Sequence, residues 1–162
     1  MAETLSVTDM LPNKFEPKRQ YRWVLAIEGI DSFLVTTANR PSVTISDKKI
    51  DYINSYRRVA GKLEFGDLSI KLHDPIAPSG AQQMMEWIRT HYESVSGRAG
   101  YADFYKRDIQ LKMLDPIGTV VELWDIKGAF LTSVNFNSLD YGADDIMMID
   151  ATIKFDNCVL QF

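Results

Sequence analysis

Residues 40–74 read RPSVTISDKKIDYINSYRRVAGKLEFGDLSIKLHD, two alternating patterns on either side of a long polar excursion. Val43 and Ile45 alternate with Ser42, Thr44 and Ser46, and Leu68, Ile70 and Leu72 alternate with Asp67, Ser69 and Lys71. A period of two is that of a strand with one buried face, so both runs are expected to point their apolar residues into a core. The stretch between them, from Lys48 to Lys62, is too long for an ordinary hairpin turn, because connections in compact domains run to about 4–6 residues. Water does not favour its apolar side chains. Ile50, Tyr52, Ile53, Tyr56, Arg57, Arg58 and Val59 are therefore expected on a long inter-strand loop that reaches a partner.

Outward from this stretch the chain reads as strand-rich with one helix. Residues 1–20 mix Pro12, Pro17, Asn13 and several charges without period, the pattern of an extended arm preceding a single domain over residues 21–162. Runs at Tyr21 to Glu28 and Asp31 to Thr36, split by Gly29, suggest a hairpin. Ser79 is a good N-cap, and Met84, Ile88, Tyr92 and Val95 recur at helical spacing through residues 80–95. Further strands are expected around Ile109 to Met113, over residues 119–126 and 128–134, and from Asp145 to Phe155. Cys158 to Phe162 has no pattern of its own and is expected to be ordered by neighbours. The fold class is mainly β (α+β): two packed antiparallel sheets, or a barrel-like arrangement, with one flanking helix. Trp23, Trp87 and Trp124 are read as core anchors.

Composition narrows the function. A chain of 162 residues can bury about two-thirds of its unfolded surface. A formal net charge of −4 argues against a protein that grips phosphates. No run approaches the ~18 apolar residues of a membrane span, and Met1-Ala-Glu-Thr-Leu lacks the features of a signal peptide. The single cysteine, Cys158, excludes an internal disulfide and reads as a small packed hydrophobe.

No residue set stands out as catalytic. His73 and His91 have no metal-binding spacing, and His73-Asp74 as a base with its orienter fails because strand neighbours point to opposite faces. Asp140, Asp144 and Asp145 lack the oxygen spacing of a calcium loop. Ser94, Ser96 and Gly97 make no nucleophile elbow. Arg57 and Arg58 with Tyr52 and Tyr56 suggest either a single-stranded nucleic-acid clamp or, the favoured reading, pairing with carboxylates of a neighbouring subunit. The expectation is a protein that is not an enzyme, with no cofactor and no metal.

The order of elements, Pro41, the loop ending Arg58-Val59-Ala60-Gly61-Lys62, then Phe65-Gly66-Asp67-Leu68-Ser69-Ile70-Lys71-Leu72-His73-Asp74 and a helix holding Trp87, resembles the tail tube proteins of long-tailed bacteriophages, in particular the contractile-tail branch. The resemblance spans about residues 20–155. It implies a virion protein, assembled in the host bacterial cytoplasm, whose copies form hexameric rings that stack into a hollow tube passing DNA and tape-measure protein. It implies sheath, baseplate and tail terminator as partners, with DNA passing unbound and no membrane insertion. On that reading the helix face Glu86, Arg89 and Glu93 would meet the sheath. Thr44, Ser46, Asp67, Ser69, Lys71, Asp150 and Thr152, on the polar faces, are the candidates for lining the bore. The tube of a bacterial contractile injection system is one alternative, and a monomeric β-barrel that holds an apolar ligand is another, of a different class.

Overall fold

The computed structural model describes residues 6–11 and 14–162; the remainder of the expected arm, residues 1–5, 12 and 13, lies outside the described residues. In chain order the elements are α1 (Val7–Met10), β1 (Trp23–Ile27), a 3-10 turn (Ser32–Leu34), β2 (Val35–Ala38), β3 (Val43–Tyr52), β4 (Ser55–Phe65), β5 (Leu68–His73), α2 (Gly80–His91), α3 (Ala102–Tyr105), β6 (Arg107–Leu114), β7 (Val120–Asn135), β8 (Met148–Lys154) and β9 (Asn157–Leu160). Hydrogen-bonded neighbours run β1-β6-β7-β8-β5-β2, with β9 added to β7 and β3-β4 standing apart.

Two sheets arise from one path because β7 turns a corner. Its first part pairs β6 and β9, as in Leu111↔Trp124 and Ile126↔Cys158. Its last part pairs β8, as in Leu131↔Ile153. Gly128 sits at the change with φ +68, a conformation that a side chain opposes, and an added Cβ would come within 2.9 Å of Asp156 Cγ. Two strands expected over residues 119–126 and 128–134 are thus one strand of 16 residues.

Leu25, Ile27, Ile109, Leu111 and Ile126 of the first sheet meet Leu68, Ile70, Leu72, Ile149 and Ile153 of the second, all buried. Each such side chain contributes roughly 1.5–3 kcal/mol, which fixes the inward faces of β5 and β8 as their alternation requires. Helix α2 closes one flank through Met84 and Trp87, and the Trp87 indole donates to the Tyr105 carbonyl at 2.7 Å. Trp23 and Trp124 pack against the core partly buried. The fold is mainly β, two packed antiparallel sheets with a flanking helix, and the sheets do not close into a barrel.

Several expectations change in detail. The runs at 21–28 and 31–36 do not pair as a hairpin: β1 pairs β6 and β2 pairs β5, because buried Ile30 and Leu34 in the connection carry the chain from one sheet to the other. The helix stops at His91, where Tyr92 is extended and bridges Ala99, so Val95 is 95% exposed. The C-terminal tail is ordered within its own chain, since β9 adds to β7. Val43 and Ile45 do not enter the core; they are 48% and 56% exposed because their strand has left the sheets.

Candidate assembly interface

The segment expected as a long loop is a regular two-stranded hairpin. β3 and β4 pair from Val43↔Phe65 to Tyr52↔Ser55, a reach of about 30 Å at the usual strand rise, and every residue from Val43 to Glu64 is exposed. The polar alternation that looked like loop chemistry is that of strands with water on both sides.

The register sorts the side chains. An irregularity between Ile45 and Asp47 places two β4 residues, Gly61 and Lys62, against Ser46. Gly61 suits that position because a Cβ there would lie 3.0 Å from the Ser46 carbonyl oxygen. One face then holds Asp47, Lys49, Asp51, Tyr56 and Arg58. Arg58 pairs with Asp47, Lys49 with Asp51 at 2.9 Å, and both cations lie over the Tyr56 ring. These contacts are exposed and contribute little stability, about 0–1 kcal/mol each, but they leave that face self-satisfied. The other face holds Lys48, Ile50, Tyr52, Arg57 and Val59. Among the described residues Lys48 and Arg57 have no ion-pair partner. Arg57 and Tyr52 therefore lie on the face opposite Arg58 and Tyr56, and the four do not form one clamp. At the tip, Ile53 is 84% exposed with φ 51, a strained conformation for a β-branched residue, costing about 1–3 kcal/mol.

The hairpin root is fixed by contacts that the sequence reading did not show. Phe65 meets Phe155 at 5.4 Å between ring centroids. Asn39, between β2 and the root, accepts from Ser69 N at 2.5 Å and donates to Asp67 O at 3.1 Å. Arg40 lies 3.5 Å from Glu122, the buried carboxylate of β7, which also pairs with Lys18 and accepts from the Trp124 indole. Burial by itself would raise the Glu122 carboxyl, but hydrogen bonds from Lys18 and Trp124, with the charges of Lys18 and Arg40, outweigh it and hold it below 4.5. One buried anion thus joins the N-terminal segment, the hairpin root and β7. A lone Glu in an apolar strand run was the only signal available.

The bore candidates fall into two groups. Ser69, Lys71, Asp150 and Thr152 share the outward face of the second sheet with Asp67 at its edge, whereas Thr44 and Ser46 lie on the hairpin. Lys71 and Asp150 are 3.8 Å apart, as are Lys154 and Asp67. That face is charged but locally neutral.

Several of the remaining candidates are held by local structure. Asp74 accepts from Ala81 N at 3.2 Å and from Ser79 at the start of α2, while His73 pairs Met148 in the ladder. Asp140 accepts from Gly142 N at 2.9 Å in its own turn. Cys158 packs against the core, and burial pushes its thiol up. Among the described residues no group of three or more His, Cys, Asp or Glu is arranged to hold a metal, and no helix is long and apolar enough to cross a membrane.

Two packed sheets, one flanking helix and a projecting hairpin make up a tail-tube-like fold. No family model matches the chain, and no curated protein does. Among solved structures the chain is similar to one in the anti-feeding prophage cap, the AFP tube terminating cap, with a TM-score of 0.75 and 19% identity over 97% of this chain and 99% of that one. It is similar to one in the sheath/tube terminator of PVC, an extracellular contractile injection system, in the extended state, with a TM-score of 0.74 and 16% identity over 92% and 99%. A chain of the PVC sheath-tube complex in the extended state matches with a TM-score of 0.63 and 19% identity over 98% and 99%. At these identities the likeness establishes the fold.

Proposed function

We propose that this chain is a structural component of a contractile tail, a tail tube protein whose copies form hexameric rings that stack into a hollow tube. The observation that carries the reading is the hairpin. Ile50, Tyr52, Ile53 and Val59 stand in water on a long, regular projection that a solitary protein has no reason to keep, and such patches mark contact surfaces. The fold shared with chains from assemblies named for tube, sheath and terminator supports it. On this reading the partners are further copies of the chain, with sheath, baseplate, terminator and tape-measure proteins, and DNA passes without specific binding. The site is the tail of a virion assembled in the bacterial cytoplasm. The role is architectural rather than catalytic.

A second reading, the tube of a contractile injection system, is favoured by the names of the similar structures, AFP and PVC. The ligand-holding barrel has less support, because the sheets stay open and their interior is filled by side chains.

The test replaces Tyr52 to Arg58 with a Gly-Ser linker. The expected protein is folded by circular dichroism and no longer forms tubes in electron micrographs. Tubes at normal yield would remove the hairpin from the assembly.

A further inference from the structure

The hairpin and the β7–β8 loop leave opposite ends of one sheet. In the second sheet Leu68, Ile153 and Leu131 align at one end, and His73 and Met148 align at the other. The hairpin root, between β2 and β5, is at the first end, where Phe65 touches Phe155. The connection of residues 136–147, between β7 and β8, is at the second.

That connection carries its own uncovered chemistry. Leu139, Tyr141 and Ile146 are 86%, 112% and 76% exposed, too much large apolar surface to be incidental in so short a segment. Asp140, Asp144 and Asp145 stand among them, and none has an ion-pair partner among the described residues. The loop is held in shape: Asn137, with φ 62, donates to Met148 O at 2.5 Å, and its N–H donates to Asn135 at 2.9 Å. It therefore offers a preformed surface.

We infer that the β7–β8 loop of one copy receives the Lys48–Ile50–Tyr52–Arg57 face of the hairpin of the next copy, an inference that rests on the tube reading. The charges are complementary, with two unpaired cations on the hairpin and three carboxylates in the loop, and each side adds apolar surface that its own chain leaves bare. The two patches differ and lie at opposite ends of the sheet, so the contact is head to tail; such a contact either closes into a ring or runs on as an open stack, and the stack is the arrangement inferred here. Charge pairing sets register and partner choice, and the apolar side chains supply most of the affinity.

The experiment is a charge-reversal pair. Lys48→Glu with Arg57→Glu, and separately Asp144→Lys with Asp145→Lys, are each expected to raise the concentration needed for tube formation by about tenfold or more, read by sedimentation and electron microscopy, and the four changes together are expected to recover assembly. An independent arm oxidises Tyr52→Cys with Tyr141→Cys in a Cys158→Ser background, where a ladder of cross-linked multimers is expected. Loop reversals that assemble like the unchanged protein, no recovery on combination, or no ladder from assembled tubes would overturn the acceptor assignment and leave the tube reading standing. An unchanged protein that stays monomeric at every concentration would overturn both.

Discussion

The Phe65 and Phe155 rings meet at 5.4 Å, tilted by 44°, and this contact joins the root of the hairpin to the end of β8. It is the point at which an exposed two-stranded ribbon is held to a buried sheet. A ribbon of two strands is marginal by itself, so its direction depends on such anchors. An aromatic pair adds about 0.5–1.5 kcal/mol beyond the area that it buries. Phe155→Ala is expected to leave the core strands protected while amide exchange at Val43 to Ile45 and Leu63 to Phe65 speeds up. Equal exchange at those amides would show that the ring contact does not hold the root.

Glu122 makes the anchoring pH-dependent in a definite direction. Its carboxyl is held below 4.5, so its contribution is fully present above pH 4.5 and is lost as the pH falls through the lower folded value. Thermal unfolding from pH 7 down to pH 3 should show a steeper loss of Tm below pH 4.5 in the unchanged protein than in Glu122→Gln. Parallel curves would mean that the carboxylate does not couple the segment around Lys18 to the fold.

Gly128 allows β7 to belong to both sheets. Gly128→Ala combines a positive φ with a collision against Asp156, a cost of about 2 kcal/mol or more, or roughly 4–8 °C in Tm for a domain of this size. Adding Asp156→Ala should recover the part due to collision and leave the part due to φ. A Tm unchanged by Gly128→Ala would put the corner elsewhere.

The outward face of the second sheet gives an electrostatic test of the bore. Its cations and carboxylates pair across strands, so a tube lined by it would be neutral and would let phosphates slide. Asp67→Lys with Asp150→Lys turns those pairs into like-charge contacts, which should lower stability by about 1 kcal/mol or less. Assembled tubes carrying both changes should retain DNA at low salt and release it at moderate salt. DNA behaviour identical to that of unchanged tubes at both salt levels would move this face off the bore.

The sheets were readable where burial leaves a period. Leu68, Ile70 and Leu72, and Ile149, Ala151 and Ile153, alternate because one side of each strand is sealed; on α2 the stripe read as Met84, Ile88, Tyr92 and Val95 holds at buried Met84, while Tyr92 and Val95 lie past the helix end and are exposed. The hairpin was not readable as strands, because exposed strands carry no burial signal and Ile53-Asn54 lacks the glycine of a favoured two-residue turn. Its exposed apolar side chains stood out all the same, since water alone does not favour Ile50, Tyr52 and Val59. The roles of Glu122 and Asn39, and the contact of Phe155 with Phe65, could not be found in advance. Each acts across long stretches of chain, and nothing local to it declares the contact.

The continuity of β7 also has a mechanical meaning. A strand shared by both sheets means that neither can slide past the other without straining covalent backbone. Close-packed interiors yield little under compression. A push arriving at the hairpin root passes through Phe155 into β8, along the ladder to β7, round the Gly128 corner and out to β6 and β1. Hydrogen bonds along that route carry the force in shear, many at once, rather than one by one. The body of the fold is therefore stiff, and its compliance is concentrated in the ribbon that projects from it.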